Sequence, residues 1–272
     1  MSLWTDAHCH LQERYLRDWN APGDAAAALE RAREAGVGRV VVIGTDAVSS
    51  REALAVTEFS GAVEMYATVG LHPHEATSDV EEVLSLLDEK HPRLVGMGEC
   101  GLDYYYDHSP RDAQRRAFVR QLHAAIEHDL ALVIHARDAF SDLFDIFDSE
   151  GVAPRTVIHC FTGSPRDAAG CLERGCDISV AGVVTFKNAH DLREAVKEVP
   201  LERLHVETDA PFLAPVPHRG RPNEPAWVSV VGEFVADLRG ETVEELRRAT
   251  AANTARLFAL TPPLESVATA AS

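Results

Sequence analysis

A single (β/α)8 barrel of the TIM type, with one additional C-terminal helix, is the fold class that this sequence predicts. Three observations carry it. Short apolar runs alternate with stretches of helical spacing about eight times along the chain. The length of 272 residues suits one such barrel as well as two average domains. Residues able to ligate a metal close five of the runs, which is the rim where a barrel of this kind gathers its chemistry.

The first run covers residues 3–9, and Asp6, His8 and His10 are spaced so that a strand would show all three on one face. Residues 24–35 have helical spacing and stop at Ala35-Gly36. Runs at 39–43 and 63–69 supply the second and third strands, and 80–90 a further helix. The fourth run, 94–98, ends in glycines that permit close approach of backbone and ligand, and Glu99 follows it. Ser109-Pro110 with Asp112 opens a helix over 110–128. The fifth run, 130–134, is closed by His135, and the sixth, 155–158, by His159. The seventh is 176–180, and the eighth, 203–208, leads into Asp209. Two helical stretches, 225–239 and 242–258, complete a barrel domain over residues 1–261. The Pro, Ser, Thr and Ala of 262–272 predict a poorly ordered tail.

Charge narrows the partners. Against 26 basic side chains stand 43 acidic ones, a net charge of -17, so a grip on long duplex through many phosphate contacts is not expected. Attraction for a single phosphate survives, because two divalent cations would bring four positive charges and Glu99 with Asp209 return two negative ones. No apolar run reaches the ~18 to 20 residues of a membrane span, so no membrane partner is expected. Residues 1–5 lack the basic and apolar segments of a secretory signal. The five cysteines are odd in number and form no CxxC pair, which suits a reducing, cytoplasmic setting. Cys9, Cys100 and Cys160 adjoin ligand candidates, but alternation along a strand would point them outward as small buried hydrophobes. No obligate protein partner is inferred.

Each ligand candidate has a plain alternative when taken alone. A His-x-His pair can arise by chance among 13 histidines, a glutamate after a strand is commonly solvated, a lone strand-end histidine is commonly a hydrogen-bonded core residue, and Asp209 could cap a helix. The joint pattern decides, since His8, His10, Glu99, His135, His159 and Asp209 are one chemical class at one end of five separate runs. That is the layout of a binuclear metal hydrolase. Such a site needs an anionic bridge between its ions. None of the three lysines, Lys90, Lys187 and Lys197, ends the fourth run, so Glu99 is the economical bridge.

The motifs Thr5-Asp6-Ala7-His8-Cys9-His10-Leu11, Gly70-Leu71-His72-Pro73-His74 and Gly98-Glu99-Cys100-Gly101-Leu102-Asp103-Tyr104 come in order along the chain. So do Ile134-His135-Ala136-Arg137-Asp138-Ala139, His159-Cys160-Phe161-Thr162-Gly163, Glu207-Thr208-Asp209-Ala210-Pro211, Arg219-Gly220-Arg221-Pro222-Asn223-Glu224-Pro225 and Asn253-Thr254-Ala255-Arg256-Leu257-Phe258. Through them nearly the whole chain resembles the TatD-like metal-dependent nucleases of the amidohydrolase superfamily. The resemblance implies one metal held by His8, His10, Glu99 and Asp209, and a second by Glu99, His135 and His159. It implies magnesium or manganese, and deoxyribonuclease activity with 3′-to-5′ exonuclease character, so DNA ends or single-stranded DNA as substrate. Some members of that family act instead on D-aminoacyl-tRNA.

Residue chemistry supports hydrolysis independently. A water activated between two divalent cations can attack a phosphodiester, and Asp209 can both ligate and act as general base, while Glu99 holds the ions together. Four histidines also allow zinc. His72, Arg137, Arg219 and Asn223 are expected on rim loops with donors suited to phosphate oxygens. The two arginines could equally brace loops by pairing with Asp103, Glu207 or Glu224. Three function classes follow: a phosphodiesterase on DNA ends, an ester or amide hydrolase such as a D-aminoacyl-tRNA deacylase, and a non-catalytic binding barrel, which the intact ligand set disfavours.

Overall fold

In a computed structural model describing residues 3–262, eight parallel strands form one sheet in chain order: β1 Trp4–Cys9, β2 Val37–Ile43, β3 Glu64–Val69, β4 Leu94–Asp103, β5 Ala131–Arg137, β6 Thr156–Ile158, β7 Asp177–Val180 and β8 Leu204–Val206. The sheet curls nearly shut. Its first and last strands meet where Asp209 donates its backbone N–H to His8 and His10 donates to Ala210, at 2.9 and 2.7 Å. This is the (β/α)8 barrel that the alternation predicts, and its strands start within two residues of the expected runs. The tail at 263–272 lies outside the described residues.

Alternation along the strands sorts the core into two layers. Val41 and Ile43 of β2, Ala131 and Val133 of β5 and Val157 of β6 fill the barrel interior. Their neighbours Val40, Val42, Leu132 and Ile134 face outward against the helices, among them Phe118 and Leu122 of α5 (Arg111–Glu127) and Leu143 of α6 (Phe140–Glu150). The last helix, α10 (Val243–Leu257), lies beyond the eight-fold repeat and has a distinct task. Its Leu257, with Phe258, completes the interior cluster and stoppers the end of the barrel opposite the rim. Full burial of a side chain such as Phe258 contributes about 1.5 to 3 kcal/mol, and Asn253 fixes the helix by donating to the carbonyls of Leu201 and Leu204, both at 2.8 Å.

Helix boundaries follow their signals. The helix Ala25–Glu34 stops at Ala35, and α5 starts immediately after Pro110. Cys9 and Cys100 are fully buried in the outer layer, as alternation requires. Cys160 departs from that expectation: it lies past the end of β6 in left-handed backbone, φ 41°, and is only partly buried. No described helix is long and apolar enough to cross a membrane.

Candidate metal centre

Irregularities in two strands aim the central candidate ligands. Residues Met97 and Cys100 of β4 both face the outer layer, and a register shift between them accommodates Gly98 and Glu99, so the Glu99 side chain turns inward at the rim. The bulge is clamped: Glu99 donates its N–H to Gly44 at 2.8 Å, and the Gly98 carbonyl accepts from the Thr68 hydroxyl at 2.5 Å. Gly70 permits this approach, since a Cβ there would lie 2.3 Å from the Gly98 carbonyl carbon and 2.6 Å from the Glu99 nitrogen. A second shift lies in β1 between Asp6 and Cys9. It breaks the expected display of Asp6 with His8 and His10, because Asp6 pairs with the outward-facing Val40. Buried there, Asp6 accepts from the N–H and hydroxyl of Thr208, at 2.9 and 2.5 Å, while burial pushes its carboxyl up to about 8.

The six expected ligands converge. Glu99 directs one oxygen to each of two donor sets. Its Oε2 lies 3.3 Å from His8 Nε2 and 3.8 Å from His10 Nε2, and both nitrogens also face Asp209 Oδ1, at 3.6 and 3.4 Å. Its Oε1 lies 2.9 Å from His159 Nε2 and 3.1 Å from His135 Nδ1. Three triads have all their donor atoms within 4.8 Å of one another: His8, Glu99 and His159; His8, His10 and Asp209; His72, Glu99 and His135. Neutral imidazoles and carboxylates at these separations fit divalent cations. His8 and His10 Nε2 lie only 3.3 Å apart, and the His8 ring stacks on His159 at 3.8 Å. Convergent imidazole nitrogens with few mutual hydrogens to share are a donor set shaped for a cation.

Outer groups hold the candidate ligand rings in place. His10 Nδ1 lies 3.0 Å from the Ile43 carbonyl, His135 Nε2 3.0 Å from Asp103 Oδ2, and His159 Nδ1 3.1 Å from Glu207 Oε1. Glu207, 1% exposed, also accepts from the Cys160 N–H at 2.6 Å and the Ser179 hydroxyl at 2.5 Å, which leaves its carboxylate little freedom. Such partners fix ring orientation and typically alter cation affinity by about 10- to 100-fold. Glu207→Gln is therefore expected to leave the fold intact and weaken cation binding by about that factor, read from a manganese titration. An unchanged affinity would remove Glu207 from this role.

Burial and charge work against each other in the centre. Burial alone would raise the Glu99 carboxyl, but His159, His72 and His135 outweigh it and hold it well below the ordinary carboxylate range. Burial lowers His8, assisted by His159, and lowers His72 to about 4, so both are neutral imidazoles. His159 is driven the other way, well above its ordinary value, because Glu99 and Glu207 overcome its burial. Glu99 is thus held anionic among the rings, and a cation entering beside His159 would displace the proton that these carboxylates favour there.

The substrate-contact candidates scatter. His72, on the loop that follows β3, comes closest, with Nε2 3.3 Å from Glu99 Oε1, which places it among the possible ligands as well. Arg137 stands over the rings of Tyr105 and Tyr106, 4.0 and 4.8 Å from their centroids. Arg219 is exposed and lies 3.9 Å over Phe186. Asn223 is 2% exposed and its amide donates to the Thr208 carbonyl at 2.7 Å, so it fastens the loop beneath Asp209. The proposed loop-bracing acids are engaged elsewhere. Asp103 meets His74 and His135, Glu207 meets His159, and Glu224 meets Arg31 at 2.5 Å. Asp103, His74, Glu207 and Ser179 join the site through tertiary contact, which leaves no periodic trace in the sequence. Glu207 carried a weak signal, since it precedes Asp209 by two along one strand end.

Known proteins resemble nearly the whole chain. The family model described as "TatD related DNase" matches residues 5–259. A Bacillus subtilis protein named as the uncharacterized metal-dependent hydrolase YabD is 41% identical, over 93% of this chain and 98% of its own length. An Erwinia amylovora protein named 3'-5' ssDNA/RNA exonuclease TatD is 36% identical over 87% of this chain and 94% of its own. Among solved structures, YJJV, a TatD homolog from Escherichia coli K12, superposes with a TM-score of 0.85 at 30% identity, covering 95% of this chain and 98% of the other.

Proposed function

The chain belongs to the family of TatD-related DNases, metal-dependent hydrolases, and from that premise we propose that it cleaves phosphodiester bonds from the 3′ ends of single-stranded DNA. One observation carries the reading: Glu99 lies between two sets of ligands with one oxygen toward each. His8, His10 and Asp209 would hold one divalent cation and His135 and His159 another, with Glu99 common to both. Manganese fits the histidine-rich set better than magnesium, which prefers oxygen ligands, and zinc is the competitor. Once bound, such a pair lowers the pKa of water and neutralises charge on the attacking and leaving oxygens.

The chain's own groups do the rest. Asp209, 8% exposed at the mouth, accepts the proton of the attacking water as an oxygen–phosphorus bond forms on one side and the bond to the 3′ oxygen breaks on the other. The same proton is available to the departing oxygen. Glu99 stays anionic, held so by the surrounding histidines, and keeps both ligand sets in register. The relatives' names point to single-stranded DNA and RNA, and the net charge of -17 fits a substrate gripped at few phosphates. A reducing, cytoplasmic setting fits the five free thiols.

An end-labelled oligonucleotide time course in manganese tests the reading, with 3′-blocked, circular and duplex controls and a D-aminoacyl-tRNA alongside. Stepwise loss from a free 3′ end is expected. Activity should fall only shallowly with salt, compared with the ~10³- to 10⁵-fold loss between 50 and 200 mM of a protein making many phosphate contacts. Rapid cutting of the circular single strand would replace the exonuclease with an endonuclease. Deacylation of the tRNA without any DNA cleavage would move the protein to the ester-hydrolase class.

A further inference from the structure

We propose that Tyr105 and Tyr106 form a stacking platform for a nucleobase of the single strand, set beside the metal centre; this rests on the phosphodiesterase reading. The two rings are 58% and 51% exposed and meet edge to face at 4.9 Å. Exposed neighbouring aromatics on an otherwise strongly acidic protein need a reason, and their attachment to the site supplies one.

That attachment is a single carboxylate. Asp103, fully buried at the end of β4, accepts the backbone N–H groups of Tyr105 and Tyr106 on Oδ1, at 3.0 and 2.8 Å. Its Oδ2 meets His135 Nε2 and His74 Nε2, both at 3.0 Å. The group that orients a candidate cation ligand therefore also fixes the turn carrying the two rings. Platform and metal centre are positioned as one unit.

The rings are also held by their neighbours. The Arg137 guanidinium lies 4.0 Å from the Tyr105 centroid and 4.8 Å from that of Tyr106. His74 meets Tyr106 edge on at 5.6 Å, and His108 lies nearly parallel to it at 5.6 Å. Tyrosines held in this way lose little freedom on binding. A base fits the chemistry, because stacking requires no basic surface, of which a chain at -17 has little, and every base offers a π-face. Arg137 over the ring faces adds a cation–π contact that keeps them in place. Tyr104, by contrast, directs its hydroxyl to Asp142 at 2.7 Å and braces α6.

The test combines substitution with abasic scanning on the manganese-loaded full chain. Alanine replacement of a stacking aromatic costs about 1 to 3 kcal/mol per base, so Tyr105→Ala and Tyr106→Ala should raise KM for a short single strand about 5- to 160-fold with little change in kcat. Tyr105→Phe and Tyr106→Phe should stay near the unaltered protein, since the ring and not the hydroxyl is used. Phe59→Ala, an exposed aromatic far from the rim, is the control. On unaltered protein, one abasic position near the 3′ end should raise KM within the same range, and there the alanine variants should lose nothing more. This scan needs no variant to fold. Equal losses on abasic and intact strands at every position would show tyrosines that merely brace Arg137, and overturn the platform. So would a KM insensitive both to abasic sites and to substitution while DNA is still cleaved, which leaves the phosphodiesterase reading standing. No cleavage of any DNA by the unaltered protein would remove both.

Discussion

Glu99→Gln is expected to lower hydrolysis by about 10³-fold or more, since the charge that unites two cation sets is worth several kcal/mol in such sites. The substitution keeps the size and alters only charge and hydrogen bonding. An amide would offer one oxygen and one NH₂ where the structure has two oxygens, Oε2 toward His8 and His10 and Oε1 toward His135 and His159. One donor set would then face N–H groups, so occupancy of that set should fall first and of the other soon after. Metal content and turnover measured on one preparation check this. Near-normal turnover with two cations bound would take Glu99 out of the bridging role.

Asp209→Asn should reduce turnover by about 10²- to 10⁴-fold if the carboxylate accepts the proton of the attacking water. The fold should survive, because the backbone of Asp209 makes the barrel-closing bond to His8 at 2.9 Å and that bond does not involve the side chain. The backbone is also in left-handed conformation, φ 57°, which asparagine tolerates as readily as aspartate. A loss of cation matching the loss of rate would make Asp209 a ligand only. Asparagine at Asp209 and glutamine at Glu99 thus differ in what they should do to metal content: the first changes chemistry more than occupancy, the second changes both.

Strand order, the barrel and the convergence of six candidate ligands were legible because each rests on a periodicity or on a residue class repeated at strand ends. Local irregularity was not legible. The fourth run was expected to end before Glu99, yet β4 continues to Asp103, since a bulge at Gly98 and Glu99 lets the strand resume pairing with His135 to Arg137 of β5. Glycines that read as a strand's end are here the device that turns the Glu99 carboxylate inward. Likewise the even spacing of Asp6, His8 and His10 suggested one face, whereas the register shift in β1 gives Asp6 to Thr208. Asp103 and Glu207 escaped as ring-orienting groups because a buried carboxylate beside a histidine is a fact of tertiary contact with no periodic trace. Asn223 shows the reverse error: an amide on a rim loop suggested substrate, but its neighbour in space is the Thr208 carbonyl.

Chelation bears on stability as well. A cation bound at about 100 times its dissociation constant stabilises the folded chain by about 2.7 kcal/mol, so removal of metal should lower Tm by several degrees and manganese should restore it. A bridging Glu99 requires both cations to sit against its carboxylate. Anomalous diffraction from manganese-soaked crystals measures that position. Two peaks per chain are expected, one against His8, His10 and Asp209 and the other against His135 and His159, with Glu99 touching both. A single peak, or two peaks of which neither contacts Glu99, would contradict it.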